Sequence, residues 1–246
     1  MIIDFIFEIA SPIVSAFIAG YFLDALKKPF PVTRIDYWVR KNFKKSKING
    51  QNLEVFLKIE LDTNDQDYLE KPSLEQLSKL IQKINLNGIG IEYMGKKDEE
   101  QINGNINIGE HKGKFEITSK TEDSDDPGPT IETPESYVTV KILFDHWNYR
   151  HVDRLINDSK TVIDHFILLM KDTYKFSMNG LSVTFKTNKQ PLILSYLSKV
   201  SKNTSSYNID LEKNLHASFS GNMSRFVNVN TTQDIQKVIE AMVWYV

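Results

Sequence analysis

The sequence predicts an α+β protein. An N-terminal apolar helix, long enough to cross a membrane, is followed by one or two units in which an antiparallel sheet carries helices. Three observations carry that reading. Residues Phe5 to Leu23 hold one group charged at neutral pH, Glu8. Farther on, several segments alternate apolar and polar residues at the period of a strand. Between them, apolar residues recur every three or four positions, the period of a helix.

The N-terminal run is nineteen residues long, close to the roughly 20 that span a hydrocarbon core. Asp4, Glu8, Ser11 and Ser15 share one stripe, while Ile6, Ile9, Ile13, Val14, Phe17, Ile18 and Phe22 cover the other directions. A helix apolar nearly all round is buried in protein or in lipid. Ser11, Ser15 and Ala19 stand four apart, as do Ala16 and Gly20, a spacing of small residues through which membrane helices pack closely. Pro12 kinks the helix in either setting. A cleavable signal peptide does not fit, because Asp4 stands where a positive region belongs. The competing reading is a central helix of a soluble domain.

The basic residues follow the apolar run: Lys27, Lys28, Arg34, Arg40, Lys41, Lys44, Lys45 and Lys47. Such an excess marks the cytoplasmic side of a span. The expected placement is therefore a single-pass membrane protein with its N-terminus outside and its body cytoplasmic. Trp38 joins these cations as a membrane-surface contact, and membrane lipid is an expected partner. Mixed with Tyr37 and Phe43, the same cations also suit single-stranded nucleic acid, held by charge and stacking.

In the body, 53–61 reads as a strand and 73–84 as a helix capped by Ser73. A turn and strand follow at 87–95, then a polar pair of strands over 103–120. The stretch 121–136 holds six acids, three prolines and no cation, so it reads as a linker or loop. The second half opens on a strand at 137–145. A long amphipathic helix through Val152, Leu155, Ile156, Ser159, Val162, Ile163, Phe166 and Met170 comes next. Asn179-Gly180 between alternating runs predicts a hairpin. A short helix over 191–201, strands over 206–219 and 225–229, and a helix over 232–243 capped by Thr231 or Thr232 complete the chain. The expected organisation is an anchor (1–28), a basic juxtamembrane segment (29–48), a first α/β unit (49–120), the acidic stretch (121–136) and a second α/β unit (137–246). Each half runs from a strand ending in Asp (Asp62, Asp145) through a helix and Asn-Gly to a strand ending in an aromatic (Tyr93, Phe185). A β-α-β-β duplication would produce that order.

Composition narrows function more than it identifies it. An apolar fraction of 41% and a charged fraction of 25% are those of a chain that folds. A net charge of −2 gives no global pull toward nucleic acid. The absence of cysteine excludes disulfides, thiolate metal sites and a cysteine nucleophile. The densest chemical stretch is 144–154, which offers Asp145, His146, His151 and Asp153 as candidates for catalysis. His146 and His151 are conceivable metal ligands, but five residues apart they match no zinc signature and share no helix face. No nucleotide cradle or catalytic triad stands in the chain, and no cofactor is expected. The reading is a membrane-anchored binding or assembly module whose partner is another protein or further copies of itself. Its alternatives are a membrane-tethered enzyme using 145–153 and a soluble nucleic-acid binder using 34–48.

Overall fold

The computed structural model describes residues 2–28, 33–43, 49–61, 72–96, 100–122, 135–188, 190–191, 193–194, 197 and 205–245. Two long strands lie at the centre, β1 (Asn49–Leu61) and β5 (Glu135–Phe144). They pair antiparallel from Leu53↔Phe144 to Leu61↔Ser136. Beyond β5 lie β4 (His111–Glu122), β3 (Gln101–Ile108) and, at the edge, β2 (Ile89–Lys96). Beyond β1 lie β8 (Ser182–Thr187), β11 (Met223–Val227), β10 (His216–Ser220) and the other edge, β9 (Ser206–Asp210). Two short strands, β6 (Trp147–Asn148) and β7 (Phe176–Met178), also pair with β1, giving one antiparallel sheet of eleven strands.

This arrangement corrects the expected fold class. The halves do not build one sheet each, because each central strand has its outer neighbour from the other half. β5 sits against β4, and β1 sits against β8. The β-α-β-β duplication therefore does not appear as two separate units. Residues 123–134 of the acidic stretch lie outside the described residues, and the strands flanking them pair directly, ending on Glu122↔Glu135.

Alternation sorts the strand residues between two faces. Leu53, Val55, Leu57 and Ile59 of β1 are buried on the same side as Val138, Val140, Ile142 and Phe144 of β5 and Phe115 and Ile117 of β4. Against that side pack α3 (Leu74–Gln82) and α4 (Val152–Lys171). Leu77 and Ile81 of α3 and Val162, Ile163 and Phe166 of α4 supply the buried faces that their periodicity predicts. The opposite side carries charge, with Lys141 paired to Glu54 at 3.0 Å and Lys58 over the Tyr137 ring at 4.5 Å. In the second half the core is aromatic: the rings of Trp147, Phe185, Phe226 and Phe219 touch in turn, with centroids 5.1, 5.8 and 6.1 Å apart.

Two local expectations change. Asn179-Gly180 makes no hairpin, since β7 and β8 both run antiparallel to β1 as one interrupted strand. Gly180 instead admits a crossing chain: a Cβ there would come within 2.5 Å of the Asn228 Cα. Val229 N donates to Leu181 O at 2.9 Å beside it. The single strand expected over 206–219 is two, β9 and β10, because Leu211 N donates to Leu215 O and turns the chain. Most of the expected helix at 191–201 lies outside the described residues.

At the N-terminus α1 (Ile2–Lys27) forms, but the single-pass span does not stand: among the described residues no helix is long and apolar enough to cross a membrane. The last turns of α1 are bound to protein instead. Ala25 is fully buried, and Tyr21 Oη donates to Asp36 Oδ1 of α2 (Arg34–Phe43) at 3.0 Å. Asp36 is also half of a capping box, since Thr33 Oγ1 accepts from Asp36 N at 3.1 Å while Asp36 Oδ2 accepts from Thr33 N at 3.0 Å. Burial alone would raise the Asp36 pKa, but the hydrogen bonds from Thr33 and Tyr21 outweigh it and hold this carboxyl below the usual carboxylate value. The same box recurs at Ser73 with Gln76 and at Thr231 with Asp234, which starts α5 (Thr232–Tyr245). α2 in turn packs on α5, and α5 on α4.

The shared sheet yields a prediction. Expressed as two chains divided between Glu122 and Glu135, neither half should give a cooperative unfolding transition alone, and the two together should copurify and regain it. Independent folding of each half, read by urea titration of its circular dichroism, would show that the exchange of neighbours is dispensable.

Candidate functional site

At one end of the sheet β1 and β4 begin and β5 and β8 finish. A cleft of about 480 Å³ opens there, lined by Gly50, Gln51, His111, His146, Trp147, Asn148 and Asn188. Its floor depends on one close approach. The Trp147 indole lies over Gly50, where an added Cβ would fall 1.8 Å from Nε1, and Nε1 donates to Asn52 O at 3.0 Å. Any side chain at position 50 displaces the ring.

Beside the cleft a tight turn leads into α4. Asn148 Oδ1 accepts from Arg150 N at 2.8 Å, and His151 N donates to Asn148 O at 2.9 Å. His151 is the N-cap of α4, with no side-chain capping bond. Its ring lies against that of His111, centroids 5.1 Å apart. Burial, first, and the neighbouring His151, second, push the His111 pKa below 6.5; Arg154 adds to this and Glu110 opposes it. At neutral pH the His111 imidazole is uncharged, a donor at one nitrogen and an acceptor at the other.

Of the four expected catalytic candidates, His146 lines the cleft and His151 reaches its edge through His111. The two carboxylates do not join them. Asp145 faces Lys114 at 3.9 Å on the exposed side, and Asp153 lies exposed in the first turn of α4. Among the described residues no three His, Cys, Asp or Glu side chains stand together to hold a metal ion. His111, Gly50, Gln51 and Asn188 escaped the sequence reading because sheet pairing alone brings them together.

Part of the expected membrane-surface set is described. Lys44, Lys45 and Lys47 lie outside the described residues, as do the side chains of Ser11, Arg40 and Lys41. Lys28 pairs with Asp24 at 3.1 Å, while Lys27 and Arg34 are exposed. Trp38 is exposed on α2, its ring 6.5 Å from that of Phe22. Ser15, Ala19 and Gly20 are exposed along α1. No family model, curated protein or solved structure matches the chain.

Two outcomes test this geometry. Gly50→Ala should cost about 3 kcal/mol of stability by overpacking, read as a lower urea midpoint with a red shift of tryptophan emission as the indole leaves its pocket. The second concerns pH. Because the folded pKa of His111 is depressed, the unfolded chain takes up a proton first, so stability is complete above about 6.5 and falls as pH drops below it. His111→Asn should flatten the decline of melting temperature between about pH 6.5 and 5; an unchanged slope would place the titrating group elsewhere.

Proposed function

We propose that the chain is an assembly module whose α1 helix packs against α1 of further copies. The observation behind this is exposure: Ile13 (63%), Val14 (53%), Phe17 (78%), Ile18 (48%) and Leu23 (59%) all face solvent on one projecting helix. Contiguous apolar surface of this kind marks an interaction site.

The pattern along α1 favours its own kind as partner. Ile13, Val14, Phe17 and Ile18 form one face of large residues, the N-terminal continuation of the face that Tyr21 and Ala25 press toward α2. Ser15, Ala16, Ala19 and Gly20 occupy the other side, with Leu23 one turn beyond them, and apart from the helix's own backbone no atom of the described residues stands within 4 Å of a Cβ built on Gly20. The helix thus carries both a ridge and a surface low enough to receive it. A large face seated on a small face is a heterologous contact, which closes into a ring when the rotation allows. The magnitudes agree with a ring over a pair. Burying the exposed parts of four large side chains contributes roughly 4–8 kcal/mol, against a cost of association of about 4–15 kcal/mol. A single contact is marginal, whereas in a ring every α1 uses both faces.

Light scattering on the purified chain gives the test. The wild-type chain should run as an oligomer, and Phe17→Asp, which breaks the large face, should run as a monomer. Ala19→Phe, which fills the small face, should also be monomeric. Mixed together, the two variants should form only weak one-to-one pairs, detectable at high concentration, because each retains the face the other lost and such a pair has a single contact. A wild-type monomer, or either variant running as the wild-type oligomer, would refute heterologous packing; recovery of the wild-type chain only on lipid vesicles would refute self-assembly altogether.

A further inference from the structure

The cleft at the end of the sheet takes no part in that assembly, and its chemistry points to a ligand of its own. Among the described residues, none of the seven that line it carries a fixed charge, and none is aliphatic. A phosphate would need a lysine or a bidentate arginine in the wall. A hard metal ion would need carboxylates, and a wholly apolar ligand would leave the amide and imidazole groups of the wall without partners, although more of the exposed lining is apolar than polar. The wall instead offers the amides of Gln51, Asn148 and Asn188, the imidazoles of His111 and His146, and the rim of one indole.

Each amide presents a donor and an acceptor on adjacent atoms, and a neutral imidazole presents one of each. The complement of such a wall is an uncharged ligand whose own groups both donate and accept, set in adjacent pairs. Vicinal hydroxyls meet that description. The volume, about 480 Å³, lies within the roughly 300–1,000 Å³ of small-molecule sites and has room for more than one ring. Trp147 is almost wholly buried beneath, held by Phe185 and by its bond to Asn52 O, so it serves as a rigid floor. Gln51, His146 and Asn188 are exposed at the rim, and among the described residues no hydrogen bond from another protein side chain occupies Gln51 or Asn188. We propose that this cleft binds a neutral carbohydrate of one or two sugar rings through Gln51, Asn148, Asn188, His111 and His146.

The experiment uses the full chain, isotopically labelled, titrated in separate arms with glucose, galactose, N-acetylglucosamine, maltose and cellobiose. Adenosine, inorganic phosphate and zinc chloride form the contrasting arms. At least one sugar should shift the Trp147 indole resonance and the side-chain amides of Gln51, Asn148 and Asn188, saturating at about 10 mM if the dissociation constant is about 1 mM. Gln51→Ala and Asn188→Ala, both at exposed positions, should keep the wild-type spectrum elsewhere and weaken that sugar at least tenfold. The proposal falls if no sugar moves these resonances, if the variants bind as the wild type does, or if adenosine, phosphate or zinc shifts them in place of a sugar. Assembly through α1 is read separately by light scattering, so either idea can fail alone.

Discussion

β1 and β5 exchange hydrogen bonds along nine residue pairs, and the rest of the sheet is attached through them. Each brings its own half of the chain and accepts the other half's strand on its outer side. β8 covers β1 from Gly50 to Phe56, and β4 covers β5 from Glu135 to Leu143. Without the other half, a central strand would present an unpaired edge of backbone groups. The pairing of Gly50 with Thr187 spans most of the body of the protein, and its closure entropy is met before the contact returns anything. The inner faces of both strands, with Val55, Ile59, Val140 and Ile142 buried, offset that entropy only when the helices are in place.

The same pairing makes the cleft. Gly50 and Gln51 precede the long pairing of β1 with β5, His146 and Trp147 follow its far end on β5, and His111 opens the strand that covers β5. Because the strands are antiparallel, these ends coincide in space. The register is strict, since a one-residue slip exchanges inner and outer faces and would separate Gly50 from the indole that only glycine admits there. Fold and candidate site therefore rest on one register.

What could be read in advance follows from what is local. The faces of α3 and α4 were legible in the spacing of Leu77, Ile81, Val162 and Phe166, because a helix repeats its environment every few residues. Ser73 was legible as a cap for the same reason. Strand alternation was legible in 53–61, but not which strand pairs with which, since period two records a buried face and not a neighbour. Asn179-Gly180 misled because its composition meets the demand of a hairpin turn, while here a glycine is needed to let Asn228 pass. The cluster at 145–153 was half legible. His146 and His151 share an environment only through His111, thirty-five positions before His146 in the sequence.

The apolar run of α1 shows the limit of such reading most plainly. Its composition states that the helix resists water and says nothing about what replaces water. The structure adds direction. Tyr21 on Asp36, the box between Asp36 and Thr33, and the packing of α2 on α5 hold the C-terminal turns of α1 to the body. Beyond Tyr21, toward the N-terminus, every described side chain from Pro12 to Gly20 is exposed. Among the described residues nothing covers that stretch, and its large residues on one side with small ones on the other are what the proposed packing of α1 on α1 rests on.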